Sequence, residues 1–395
     1  MSDTAILRAA LFTPGPRHVW GLPIRIIGGP GTAKSDLVTQ VARAAGLHVQ
    51  VVIASLRDPT DFIGLPVPGN NGSVKYAPPD WALQAAEGMG NSVVFLDEIS
   101  TCAPAVQAAL LRVVLDRVVG DFALPPTVRI VAAQNSVEDS AGGYDLAMPL
   151  ANRFATLADW QAPDAKAWAS WLLSAGNGDE TETTTSPQAE QERVMQRWPL
   201  EYAKASGVIS TFINRNPSLL HAQPQAGSPQ ASLPWPSRRT WAMATRAMAA
   251  AAIHALTEAE TDRYVGALVG NAAVTELRSF LANLDLPDPA DLLDGKAKFT
   301  HDRDRMDRTM AVFSSCAALV APKSAEARNT RGAALWALLN EHMALAADIV
   351  WPAVRALCNR ETLLIRIDGK MCKDAEAVLA RLKPLFKAAG LLAGA

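Results

Sequence analysis

In the stretch GGPGTAKS, residues 28–35, glycines, a lysine and a hydroxyl stand in the order that cradling a polyphosphate requires. The pattern is G-x-x-x-x-G-K-[ST]. Gly28, Lys34 and Ser35 fit it, and Ala33 occupies the place of the second glycine. Gly28, Gly29 and Gly31 free the backbone to turn and approach phosphate closely. The loop Gly28-Gly29-Pro30-Gly31-Thr32-Ala33 would thus wrap the phosphates, with the positive end of the next helix behind it. Lys34 would reach the β- and γ-phosphates, and the Ser35 hydroxyl would ligate Mg²⁺. Ala33 is expected in the first helical turn, at ordinary dihedrals, where alanine is the best helix former. Downstream, VVFLDEIS ends an apolar run in two carboxylates. Asp97 would sit near Mg²⁺ and Glu98 would polarise an attacking water. Asn135 ends the next apolar run, RIVAAQN, and could position the same water or simply form a turn.

Elements must bring these residues together. Four short Val/Ile-rich runs, at 23–29, 48–55, 92–98 and 127–135, have the length and composition of buried strands. Helical stretches lie between them. In APAVQAALLRVVLDR, Val106, Leu110, Leu111, Val114 and Leu115 recur at helical spacing. Strands alternating with helices predict an α/β fold, a parallel sheet with helices on both faces. Beyond about residue 160 strands are no longer expected. The polar run NGDETETTTSPQAEQE (177–192) reads as a disordered insertion. From about 195 on, Ala, Leu and Met dominate at helical periodicity. The expected organisation is an α/β domain at 1–160, a linker with the polar insertion at 161–194, a helical lid at 195–325 and a C-terminal helical region at 326–395.

Bulk numbers narrow the class. The chain has 395 residues, 49% of them hydrophobic, and a formal net charge of −2, which does not advertise nucleic acid or acidic membrane. No stretch reaches the ~18 apolar residues of a membrane span. Cys102, Cys316, Cys358 and Cys372 form no C-x-x-C pair. With no signal peptide, they read as free thiols in a reducing compartment, and a cytoplasmic location is expected.

The motifs together resemble the AAA+ ATPases, and more closely their MoxR-like branch, whose phosphate loop is often G-x-P-G-x-A-K-[ST]. GGPGTAKS agrees with it, alanine included. DPTDFIGLP (58–66), the run at 76–119, ALPPTVRIVAAQN (123–135) and LANRF (150–154) extend the likeness over residues 18–160. It continues thinly through PSRRTWAMATR (236–246) and FLANLDLPDPADLL (280–293). The resemblance implies a P-loop core with ATP and Mg²⁺ as cofactors. It also implies an arginine finger at Arg153, acting on a neighbour's nucleotide, and a lid sensor at Arg239, with the adjacent Arg238 as alternative. Trp20 and Gly21 would border the adenine pocket, or Trp20 would pack in the core. The segment 57–81 is similar to an insert that faces a ring's central channel. There Phe62 and Tyr76 would grip a client chain, or pack as ordinary loop residues.

A finger acting in trans implies a closed ring of head-to-tail copies, and the resemblance suggests six. Partners of the family often carry a von Willebrand factor A domain, in chaperone-like remodelling or maturation. Two other readings remain open. One is a nucleic-acid motor, opposed by the scarcity of cations in 57–81, which holds only Arg57 and Lys75. The other is a scaffold that binds ATP but scarcely turns it over, opposed by the Asp97–Glu98 pair. HDRDRMDR (301–308) hints at a metal through His301, Asp302 and Asp304 but reads more simply as a solvated face.

Overall fold

The computed structural model describes residues 2–69, 72–87, 91–136, 139, 146–160, 165–175, 186–302, 305–320, 325–343, 347–357, 366–367, 370–371 and 373–388. The chain opens on α1 (Ser2–Leu11), then runs β1 (Ile24–Ile27), α2 (Lys34–Ala44), β2 (His48–Ile53) and α3 (Thr60–Ile63). A hairpin of β3 (Leu65–Pro68) and β4 (Val74–Ala77) follows, then α4 (Asp80–Ala86), β5 (Ser92–Asp97) and α5 (Pro104–Asp116). A second hairpin, β6 (Val118–Val119) with β7 (Phe122–Ala123), leads to β8 (Arg129–Gln134), α6 (Met148–Ala151) and β9 (Ala155–Leu157). Helices dominate thereafter: α7 (Ala165–Ala175), α8 (Pro187–Arg215), α9 (Arg238–Ile253), α10 (Glu258–Val269) and α11 (Asn271–Ala282). The last are α12 (Pro289–Leu293), α13 (Met306–Val320), α14 (Ala325–Met343), α15 (Ala347–Leu357) and α16 (Lys373–Ala388).

Five strands form one parallel sheet in the order β2-β5-β8-β1-β9. β5 and β8 lie inside it and are buried along almost their whole length, which is why they read as continuous apolar runs. The four apolar runs of the sequence supply β1, β2, β5 and β8. The fifth strand, β9, has only three residues, Ala155, Thr156 and Leu157, too few to leave a period. The α/β expectation followed by a helical region therefore holds. Strands do not stop at residue 160, however, because β10 (Arg366–Ile367) and β11 (Lys370–Met371) pair antiparallel.

Two compact units emerge from the contacts. One comprises 1–196 with 218–275, the other 197–217 with 276–395. In the first, α9 and α10 pack on α1. Tyr264 lies fully buried with its hydroxyl 3.1 Å from that of Thr13, and Arg263 pairs with Asp3. Arg246 donates to the Pro14 carbonyl at 2.7 Å. The second unit packs Phe313, Cys316, Leu335, Trp336, Leu339, Val354 and Leu382 into its own apolar core. The polar run at 177–192 divides. Residues 177–185 lie outside the described residues, and from Pro187 the chain is helical. Ser186 accepts a hydrogen bond from the Ala189 amide, and Glu190 is buried against Arg193, so local capping and pairing offset the lack of apolar residues.

Candidate active site

Parallel strands bring their carboxyl ends to one edge of the sheet, where doubly wound folds bind ligands. Here that edge gathers the loop after β1, Asp97 at the end of β5, and Asn135 just past β8. Gly28 has no room for a side chain, since a Cβ would stand 2.9 Å from the Trp160 carbonyl oxygen. Gly31 has φ +73° and nothing within 4 Å of the place its Cβ would take, so the loop's outer side is open. Within the loop, Thr32 donates to the Gly29 carbonyl at 2.8 Å.

Lys34 begins α2 and is buried. Its Nζ donates to the carbonyls of Gly28 (2.9 Å) and Gly29 (2.7 Å) and to Asn135 Oδ1 (3.0 Å). Burial lowers its pKa, and the charges of Asp97 and Asp139 partly restore it. Beside it the Ser35 hydroxyl donates to Asp97 Oδ2 at 2.7 Å. The structure thus brings together Lys34, Ser35, Asp97 and Asn135, as the spacing predicts.

Ala33 departs from expectation. It precedes α2 at φ 58°, ψ 30°, in the left-handed region, and not in the first helical turn. That is why the pattern favours glycine there: a Cβ in this conformation costs about 1–2 kcal/mol. Glu98 is a second non-glycine residue at positive φ, 55°. Its amide donates to Asp97 Oδ1 at 2.9 Å. Strained backbone of this kind is often stored where chemistry needs a side chain aimed.

Ser55 was not singled out in the sequence. Its hydroxyl donates to Glu98 Oε2. The parallel register sets Ile53 beside Asp97, which carries Ser55 level with the residues that follow Asp97. Only that register reveals it; a serine after an apolar run looks like any strand end.

The arginines cluster apart from Lys34's hydrogen-bond partners. Arg153, just after α6, is half-buried and donates to the Pro149 carbonyl at 3.2 Å, while its buried Nε has no partner among the described residues. Burial lowers its pKa, the charge of Arg239 lowers it further, and Asp116 opposes both. Arg238 and Arg239 are exposed in the first turn of α9. Ser237 caps that helix in a reciprocal box with Thr240 and donates to Asn152 Oδ1 at 3.2 Å. This contact brings the α9 terminus alongside Arg153.

The surroundings divide between the readings left open. The Trp20 amide donates to the Pro126 carbonyl, and the Gly21 carbonyl accepts from Arg117. Both residues therefore sit at the amino end of β1, about 13 Å of strand away from the phosphate loop by the usual rise per residue. Phe62 is buried, with its ring 5.8 Å from that of Trp81, and cannot grip a client in this conformation. Tyr76 is exposed on β4, with Leu65, Val67 and Val74 exposed on the same hairpin. In 301–308, Asp304 lies outside the described residues, and His301 Nδ1 lies 2.9 Å from Thr309 Oγ1. Among the described residues no cluster of three or more His, Cys, Asp or Glu is placed to hold a metal, and no helix is long and apolar enough to cross a membrane.

Residues 24–156 match the family model described as the ATPase family associated with various cellular activities (AAA). Among solved structures, one from Cytophaga hutchinsonii, provisionally assigned as an ATPase, is 18% identical, with a TM-score of 0.47. The alignment covers 72% of this chain and 89% of that one. The matched span holds Lys34, Ser35, Asp97, Glu98, Asn135 and Arg153, so the clustered residues lie within the stretch that is similar to this family model.

Proposed function

We propose that this chain is a MoxR-like AAA+ ATPase, which hydrolyses ATP within a ring-shaped homo-oligomer to remodel or mature a protein partner. The observation that carries the reading is the 2.7 Å contact of Ser35 with Asp97, beside a buried Lys34 whose hydrogen-bond partners among the described residues are neutral oxygens. A hard divalent cation takes a hydroxyl and one carboxylate and completes its shell with water and phosphate oxygens. A buried ammonium without a direct ion pair suits an incoming polyphosphate. The residues present therefore fit Mg²⁺ and ATP, with Ser35 and Asp97 for the metal and residues 28–35 for the phosphates.

Bound Mg²⁺·ATP would supply a polarised γ-phosphoryl group. The protein's part is positioning and charge. Lys34 exchanges its carbonyl partners for phosphate oxygens, and the α2 amino terminus adds its dipole. Glu98 accepts a proton from the attacking water, and Asn135 orients that water. For this Glu98 must leave Ser55. Arg153 would complete a neighbour's site in trans, in a ring we take as six. Arg239 would report the γ-phosphate from the lid, with Arg238 the alternative. The exposed apolar hairpin 65–77 supports contact with a protein client, such as a partner bearing a von Willebrand factor A domain, over contact with nucleic acid. The Ser55–Glu98 bond favours one rival, the slow scaffold, for the conformation described.

The test is ATP turnover and particle mass of the wild type and of Glu98→Gln, each with and without Mg²⁺·ATP. Turnover in the wild type, its loss in the variant, and an ATP-dependent ring near six copies support the reading. A monomer that does not hydrolyse ATP refutes it.

A further inference from the structure

Strand β1 reads Ile-Arg-Ile-Ile, and its single polar member, Arg25, is fully buried in the sheet between β8 and β9. Its Nε donates to Thr156 Oγ1 of β9 at 3.1 Å, its Nη1 to Gln134 Oε1 of β8 at 3.0 Å, and its Nη2 to the Ser232 carbonyl. All three acceptors are neutral. Burial alone pushes the guanidinium down to about 9, with no carboxylate offsetting it. A strand in this position gains more from another aliphatic residue, because a buried cation without an anion costs several kcal/mol by general estimates. Arg25 therefore calls for a reason other than packing.

Its partners supply one. Gln134 immediately precedes Asn135, whose Oδ1 holds Lys34. Thr156 lies opposite Arg25 in the register of β1 and β9. Ser232 belongs to the segment that runs on to Ser237, Arg238 and Arg239. That segment is fixed at two points, by Arg25 at Ser232 and by Asn152 at Ser237. A single side chain thus joins the strand before the phosphate loop, the tip of β8 and the approach to the arginines of α9.

We infer that Arg25 is a positioning residue that couples occupation of the phosphate site to the placement of Arg239 and the α9 amino terminus. The inference rests on the proposed ATPase reading. A shift of Lys34 toward phosphate releases Asn135, and the tip of β8 moves with it. Arg25 transmits that movement to Ser232, because its planar fork holds both oxygens in fixed directions. Methionine, of similar length, would fill the space and break the connection.

The test compares Arg25→Met, Arg239→Ala and the pair, with two readouts. The first is amide hydrogen exchange over residues 229–239 in the Glu98→Gln chain, with and without Mg²⁺·ATP. Nucleotide should raise protection there severalfold, and Arg25→Met should remove the gain while ATP affinity changes by less than about twofold. The second is kcat. Both single substitutions should lower it, and the pair should fall short of the product of the two losses by at least about fivefold, as coupled positions do. Multiplicative losses, or an exchange gain that survives Arg25→Met, overturn the inference. Gln134→Met leaves the cation in place and removes one acceptor. It should abolish the same exchange gain and serves where Arg25→Met does not fold. A wild type that neither binds nor hydrolyses ATP would defeat the ATPase reading itself. One that hydrolyses without this coupling would defeat only the role of Arg25.

Discussion

Replacing Ala33 by glycine should stabilise the chain, the opposite of what glycine does in a helix interior. Ala33 sits at φ 58°, ψ 30°, where a Cβ costs about 1–2 kcal/mol. Glycine removes that cost but adds freedom to the unfolded chain, which offsets about 0.4–1 kcal/mol. The net gain is about 0.5–1 kcal/mol. For a unit of more than 200 residues that raises Tm by about 1–4 °C, since each kcal/mol shifts Tm by about 2–4 °C at that size. Ala33→Val provides the opposite arm, because a β-branched residue at positive φ is a backbone outlier, and it should lower Tm by at least about 2 °C. Scanning calorimetry on the three chains without nucleotide decides the matter. A glycine variant that melts lower than wild type, or a valine variant that melts with it, would place Ala33 in ordinary helical conformation and refute the strain argument.

Ser55→Ala frees Glu98 and should raise basal ATP turnover about three- to tenfold, about 0.7–1.4 kcal/mol and so roughly half of the ~1.5–3 kcal/mol of a hydrogen bond to a charged group; a fall in turnover would mean that Ser55 aids Glu98. Phe62→Ala should cost about 3–5 kcal/mol in urea unfolding, whereas Tyr76→Ala should leave stability within ~0.5 kcal/mol and weaken client-dependent activity. Equal destabilisation by the two would contradict their different burial. Burial pushes the Cys102 thiol up to about 11 and the Cys316 thiol up to about 12. Each folded value lies above the ordinary value of 9.0, so the stability both thiols contribute is complete below pH 9 and is lost as pH rises through about 11 and 12. Peptide mapping after iodoacetamide at pH 8 should find both unlabelled in the native chain, and labelling would show that the burial is not maintained.

Where the sequence was legible, one local rule and one residue sufficed. The strands β1, β5 and β8 are apolar because they are buried inside the sheet, whereas β2, apolar in sequence, is an edge strand that exposes Val51 and Ile53. The pairing of Lys34, Ser35, Asp97 and Asn135 follows from parallel strands that end at one edge. The features it concealed depend on register or on partners far along the chain. Ser55 meets Glu98 only because Ile53 lies beside Asp97. β9 is too short for a period, and Arg25 finds Ser232 more than 200 positions later. The closeness of Trp20 to the phosphate loop along the chain conceals that a strand's two ends lie on opposite edges. Ala33 shows the opposite error: a good helix former was assigned helical dihedrals, although it stands at the turn that leads into the helix.

The central claim is that Glu98, at the edge where Lys34 and the Ser35–Asp97 pair meet, drives ATP hydrolysis. Steady-state phosphate release at saturating Mg²⁺·ATP, wild type against Glu98→Gln, tests it most directly, with ATP binding measured alongside. The account predicts that Glu98→Gln binds ATP within about threefold of wild type and loses at least about a hundredfold in kcat, within the range general-base groups contribute. Equal turnover in the two chains would contradict it.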